Sequence, residues 1–73
     1  MKDFLTVVKK FIDEKGFEQK LSSFGEANMR TAGRKLAKKE ITIEDAINEL
    51  CKERDYGRRI GRHERAELEK RLR

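Results

Sequence analysis

The chain is 73 residues long, 36% hydrophobic and 45% charged, with 19 basic and 14 acidic residues and a formal net charge of +5. That is room for one small domain, which buries only about 60% of the surface its unfolded chain exposes. No apolar run exceeds three residues, against the roughly 20 a membrane span needs, a single Cys excludes an internal disulfide or a Cys-based zinc site, and the lack of Pro with few Gly excludes collagen-like and low-complexity classes.

Taken in chain order, the first predicted element is a helix over about residues 2–15. Phe4, Leu5, Val8, Phe11 and Ile12 recur at steps of three and four and line one face. Asp3 suits the start as a cap. Lys15-Gly16 suits the end, because Gly enters the left-handed region without steric cost, and Phe17 can fold back on the last turn. The start of the chain carries acids and lacks a continuous apolar stretch, which argues against a secretory signal. A lone Cys51 fits a reducing interior, so the cytoplasm is the expected location.

A second helix is expected over about 24–39, opened by Ser23 with Glu26 at the spacing of a capping box. Its apolar face is sparse, made of Phe24, Met29, Ala32 and Leu36. Ala32 and Gly33 are small enough for another helix to approach, at a cost near Gly33 of about 1 kcal/mol in helix propensity. The third helix, about 43–54, has the clearest pattern. Thr42 and Asp45 have cap spacing, Ile41 can staple on Ala46, and Ile43, Ala46, Ile47, Leu50 and Cys51 fall at i, i+3, i+4, i+7 and i+8. The last stretch has only Ile60, Ala66, Leu68 and Leu72 as apolar residues. A weakly held helix from about His63 is expected there, helped by Glu67→Arg71 and Glu69→Arg73 pairs worth a few tenths of a kcal/mol each. The fold class is therefore all-α: a helical core domain over 1–56, and an arginine-rich C-terminal helix or tail over 57–73. The expected core is Phe4, Leu5, Val8, Phe11, Ile12, Phe17, Leu21, Phe24, Met29, Leu36, Ile41, Ile43, Ile47, Leu50 and Cys51.

The bases are segregated by type. Residues 1–53 hold two arginines and the remainder holds seven. From Gly57 onward there are seven bases and three acids, an excess that places most of the net charge in the last quarter. Guanidinium is planar, weakly hydrated and forks onto phosphate or carboxylate through two parallel hydrogen bonds. In a continuous helix Arg54, Arg58, Arg62 and Arg65 would form one stripe, and Arg59 is a further expected contact. Such a stripe could follow a phosphate backbone. The opposing reading is a solvated face whose arginines are neutralised by Glu53, Asp55, Glu64, Glu67 and Glu69. A second basic group, Arg30, Arg34 and Lys38, shares a face of the second helix beside Lys35 and Lys39. Tyr56, among arginines, can either stack on a base or pack on the preceding helix.

Signals for chemistry are sparse. His63 is the single imidazole and lies among arginines. Cys51 falls on an apolar face and reads as a small buried hydrophobe. Neither Gly-containing stretch matches a phosphate loop or a dinucleotide fingerprint. The chain therefore reads as a non-enzyme with no cofactor and no metal. Leu21-Ser22-Ser23-Phe24 resembles part of the sliding-clamp-binding motif, but Gln19 is one position too close and Gly25 replaces the second aromatic. Ala32-Gly33-Arg34-Lys35 followed by Glu44-Asp45-Ala46-Ile47 resembles the end of the archaeal histone fold, with a longer spacing and a shorter second helix. Neither resemblance carries a functional residue onto this chain. A helix-turn-helix lacks its small turn residue, since Leu50, Cys51 and Lys52 occupy the turn.

The leading expectation is a small basic regulator that binds nucleic acid, or a machine that handles it, through the arginine-rich segment. The alternative is a protein-interaction module or inhibitor docking on an acidic surface of a transcription or replication protein such as RNA polymerase. A homodimer is compatible with so small a core, and no membrane partner is expected.

Overall fold

A computed structural model of the protein describes residues 3–53 and 56–73. Among these residues there are five helices and no strand: α1 Phe4–Lys15, α2 Ser23–Ala37, α3 Ile43–Cys51, α4 Tyr56–Arg59 and α5 Arg62–Leu72. The all-α expectation holds. Four of them close a ring, with α1 on α2, α2 on α3, α3 on α5 and α5 on α1. The backbones of the diagonal pairs, α1 with α3 and α2 with α5, do not approach each other, and among the helices the backbone of α4 approaches only α3. No helix among the described residues is long and apolar enough to cross a membrane.

The helix ends follow local chemistry. Asp3 caps α1 by accepting the Thr6 N–H at 3.2 Å. At the other end Gly16 sits at φ 69°, the Gly16 N–H donates to the Asp13 carbonyl, and the Phe17 N–H donates to the Ile12 carbonyl. That is a Schellman closure, with Phe17 turned back into the core as its apolar partner. Thr42 and Asp45 form the reciprocal capping box expected for α3. For α2 the cap is one residue earlier than expected. Ser22, extended at φ −75° and ψ 172°, accepts the Gly25 N–H at 3.1 Å, and Ser23 is already helical. Glu26 is released from capping and pairs with Lys9 of α1 at 3.4 Å.

One apolar cluster fills the ring. Phe4, Leu5, Val8, Phe11, Ile12, Phe17, Met29, Leu36, Ile47 and Leu50 are buried as expected, and Leu21, Ile41, Ile43 and Cys51 pack partly buried against them. Two departures matter. Phe24, expected in the core, is 85% exposed. In the observed register Gly25, Met29, Ala32 and Leu36 face inward, and one residue of helix turns Phe24 by about 100° away from them. Gly25 fits there because a Cβ would stand 2.9 Å from Glu53 Oε1 and 3.0 Å from Leu21 Cδ2. Gly33 meets Phe4 in the same way, with a would-be Cβ 3.1 Å from that residue's Cβ.

The second departure is at the C-terminal end. Tyr56, Ile60, Leu68 and Leu72 belong to the same cluster, each at most 4% exposed. Each large apolar side chain so buried stabilises by about 1.5–3 kcal/mol. The segment set apart as an arginine-rich tail thus supplies part of the core, and α5 is not weakly held. Tyr56 packs on Phe17 at 5.7 Å between ring centroids, and its hydroxyl donates to the Gln19 carbonyl at 2.6 Å. The ring is unavailable for stacking on a ligand.

Candidate nucleic-acid interface

The C-terminal arginines do not share one stripe. The chain leaves helical geometry between α4 and α5, where Gly61 is extended at ψ −165° and its N–H donates to Glu64 Oε1 at 2.9 Å. Arg58 and Arg59 sit on α4, and Arg62 opens α5. Arg54 lies outside the described residues.

Several of these guanidinium groups are already occupied. Arg65 is half-buried; it donates to Asn48 Oδ1 at 2.6 Å and to Cys51 Sγ at 3.4 Å, tying α5 to α3. Arg71 Nη2 reaches Glu14 Oε1 and Glu67 Oε2, both at 2.7 Å, and Lys15 Nζ lies 2.8 Å from Glu67 Oε1. Arg71 and Lys15 also stand 5.6 Å from the centroid of the Phe11 ring. The hydrogen bond from Arg71 holds the Glu14 carboxyl below its ordinary range, and that from Lys15, with Arg71 behind it, does the same for Glu67. The Glu14 hydrogen bond in turn raises Arg71. This cluster locks the end of α1 to the end of α5, so it is structural. Arg73 pairs with Glu69 at 2.8 Å. Arg58 and Arg62 are exposed and form no ion pair with a described residue. Arg59, also exposed, is already held in an interaction.

The charge looks different on α2. Between residues 27 and 39 there are five bases and no acid, while the other 60 residues hold 14 bases and 14 acids. The whole formal excess of +5 therefore sits on this one stretch. By contrast residues 40–56, which contain α3, hold six acids and two bases. The backbones of α3 and α5 are in contact. Arg30, Arg34, Lys35, Lys38 and Lys39 are all exposed, and none forms an ion pair with a described residue.

Their arrangement follows from the helix repeat. The inward set is Gly25, Met29, Ala32 and Leu36. Phe24, Ala27, Thr31, Arg34 and Lys38 recur at steps of three and four on the outward side, all exposed. Arg30 and Lys35 flank that line. Lys35 borders the groove against α3, where Asp45 and Glu49 also lie, and Glu26 on the α1 side is taken up by Lys9. The expectation that Arg30, Arg34 and Lys38 face outward while α2 packs inward is what the structure shows. The helix ends in a second Schellman closure, with the Glu40 N–H on the Lys35 carbonyl and Lys39 at φ 62°. The two basic groups lie on separate elements, and the backbone of α2 approaches neither α4 nor α5.

His63 is exposed, and Cys51 is half-buried under Arg65. A surface cleft of about 600 Å³ lies between α1 and α5 and is lined by Asp3, Thr6, Val7, Lys10, Glu14 and Arg71. Its arginine belongs to the structural ion-pair cluster. Among the described residues no group of three or more His, Cys, Asp or Glu side chains could hold a metal ion. Comparisons of the chain with protein-family models, with curated proteins and with solved structures return no match.

Proposed function

We propose that this protein is a small, non-enzymatic, cytoplasmic regulator that binds nucleic acid, with the outward face of α2 as its main contact and the exposed Arg58 and Arg62 as a secondary one. The observation that supports this reading most is the acid-free stretch 27–39, whose five exposed bases equal the formal net charge of the chain. Bases without acidic neighbours attract a polyanion and release its condensed counterions when they meet phosphate. A rigid helix presents them at fixed spacing, which limits the entropy lost on contact.

Binding of the full chain to labelled single-stranded and duplex DNA and RNA, titrated with salt, tests the reading. Affinity that falls steeply between 50 and 200 mM salt is the expected behaviour. No measurable binding at low salt, or affinity indifferent to salt, contradicts it. In that event capture of an acidic transcription or replication protein, lost on charge reversal at Arg34 and Lys38, would favour the protein-docking reading.

A further inference from the structure

Phe24 is the exception to an otherwise orderly burial pattern. It is the one large apolar side chain left exposed among the described residues. It does not stand in isolation, because it heads the outward line that continues through Ala27 and Thr31 to Arg34 and Lys38. At about 1.5 Å of rise per residue, its backbone lies about 15 Å along the helix from that of Arg34. The residues between them on that line are small, and the Thr31 hydroxyl is folded onto the Ala27 carbonyl at 3.1 Å. Along this line only the small side chains of Ala27 and Thr31 stand between the ring and Arg34.

From this arrangement we infer that α2 is a single-strand platform: Phe24 stacks on an unpaired nucleobase while Arg34 and Lys38, flanked by Arg30 and Lys35, hold the phosphates of the adjoining nucleotides. The inference rests on the nucleic-acid reading above and narrows it to single strands. An exposed ring can stack only on a base that is not already stacked between its neighbours, which excludes the interior of a duplex. Charge complementarity selects the occupant, since five bases without an acid match a phosphate chain. A strip of about 15 Å suits the short end of single-strand site sizes, about four nucleotides.

The chain contains no Trp, so Phe24→Trp installs a sole indole at the proposed stacking position. Its fluorescence is expected to be quenched by a single-stranded oligonucleotide, and much less by a base-free phosphodiester of the same length or by a duplex. In anisotropy, Phe24→Ala should weaken single-strand binding about five- to a hundredfold while leaving the salt dependence of affinity unchanged. Phe24→Tyr should restore it. Phe24 is outside the core, so the helical circular dichroism of all three variants should match the parent chain. Unchanged single-strand affinity in Phe24→Ala, or equal affinity of the parent for strand and duplex, overturns the platform while leaving nucleic-acid binding standing. A dimer that Phe24→Ala converts to monomer without affecting oligonucleotide binding also overturns it and assigns the ring to a second copy. Failure of the parent to bind any oligonucleotide overturns the broader reading, and the platform with it.

Discussion

Among the described residues two occupy the left-handed backbone region, and only one of them is glycine. Gly16 at φ 69° and Lys39 at φ 62° each end a helix through a Schellman closure. A Cβ at Gly16 would meet nothing within 4 Å, so a substitution there tests backbone strain alone. Gly16→Ala should destabilise the protein by about 1 kcal/mol, lowering the melting temperature by about 4–8 °C in a domain this small. The same physics has the opposite sign at Lys39. Lys39→Gly should leave the melting temperature unchanged or raise it, because relieved strain offsets the added freedom of the unfolded chain. Thermal melts followed by circular dichroism check both, and a Gly16→Ala protein as stable as its parent would contradict the assignment. Phe24 is the other decisive residue. Its spacing to Met29 and Leu36 is nearly that of a core face, and a cap at Ser23 instead of Ser22 is equally plausible from sequence. The signal that was legible is that 25, 29, 32 and 36 form a competing set, and a Gly in that set is acceptable wherever another element comes close. The approach of Glu53 and Leu21 is tertiary information, so a local pattern does not contain it.

Individual elements were readable to the extent that they carry their own punctuation. Both ends of α1 and the start of α3 are written in capping residues, and the structure reproduces them within about two residues. The segment α4–α5 lacks such a stripe: Ile60, Leu68 and Leu72 are few and widely spaced, and their burial depends on α1 and α3 being in place. Composition makes this stretch look like a charged tail, whereas Leu68 is fully buried and Leu72 nearly so. Leu68→Ala should therefore cost about 2–5 kcal/mol, and urea unfolding should show the whole bundle losing stability in one transition. A variant with stable α1–α3 and only α5 released would contradict a shared core. The ion-pair cluster at the α1–α5 end adds a pH dependence. Glu14 and Glu67 titrate below their ordinary value of 4.5 in the folded protein, so as pH falls the unfolded chain takes up protons first. Their contribution is complete above about pH 4.5 and is lost as pH falls through the folded values. Melting temperature should drop over that acid range, and Glu14→Gln with Glu67→Gln should flatten the drop. An equally steep acid profile in the double variant would count against the cluster.

At the scale of the molecule, the ring of helices decides where charge can act. The C-terminal excess of bases, conspicuous in the sequence, lies against an acidic α3 and partly spends its guanidinium groups on Asn48, Glu14, Glu67 and Glu69. The less conspicuous bases of α2 face outward without a described ion-pair partner. Counting charge by quarter of the chain favours the tail, and counting it by acid-free stretch favours α2; only the pairing geometry separates the two. The most direct test compares the slopes of log affinity against log salt for a single-stranded oligonucleotide in three proteins: the parent chain, an Arg30→Gln/Arg34→Gln/Lys38→Gln variant, and an Arg58→Gln/Arg62→Gln variant. Each phosphate contact contributes about −0.7 to the slope on a single strand. The account predicts that the α2 variant loses about two units of slope and most of its affinity, while the Arg58/Arg62 variant loses about one unit or less. A full parental slope in the α2 variant, with the loss confined to the Arg58/Arg62 variant, would contradict it.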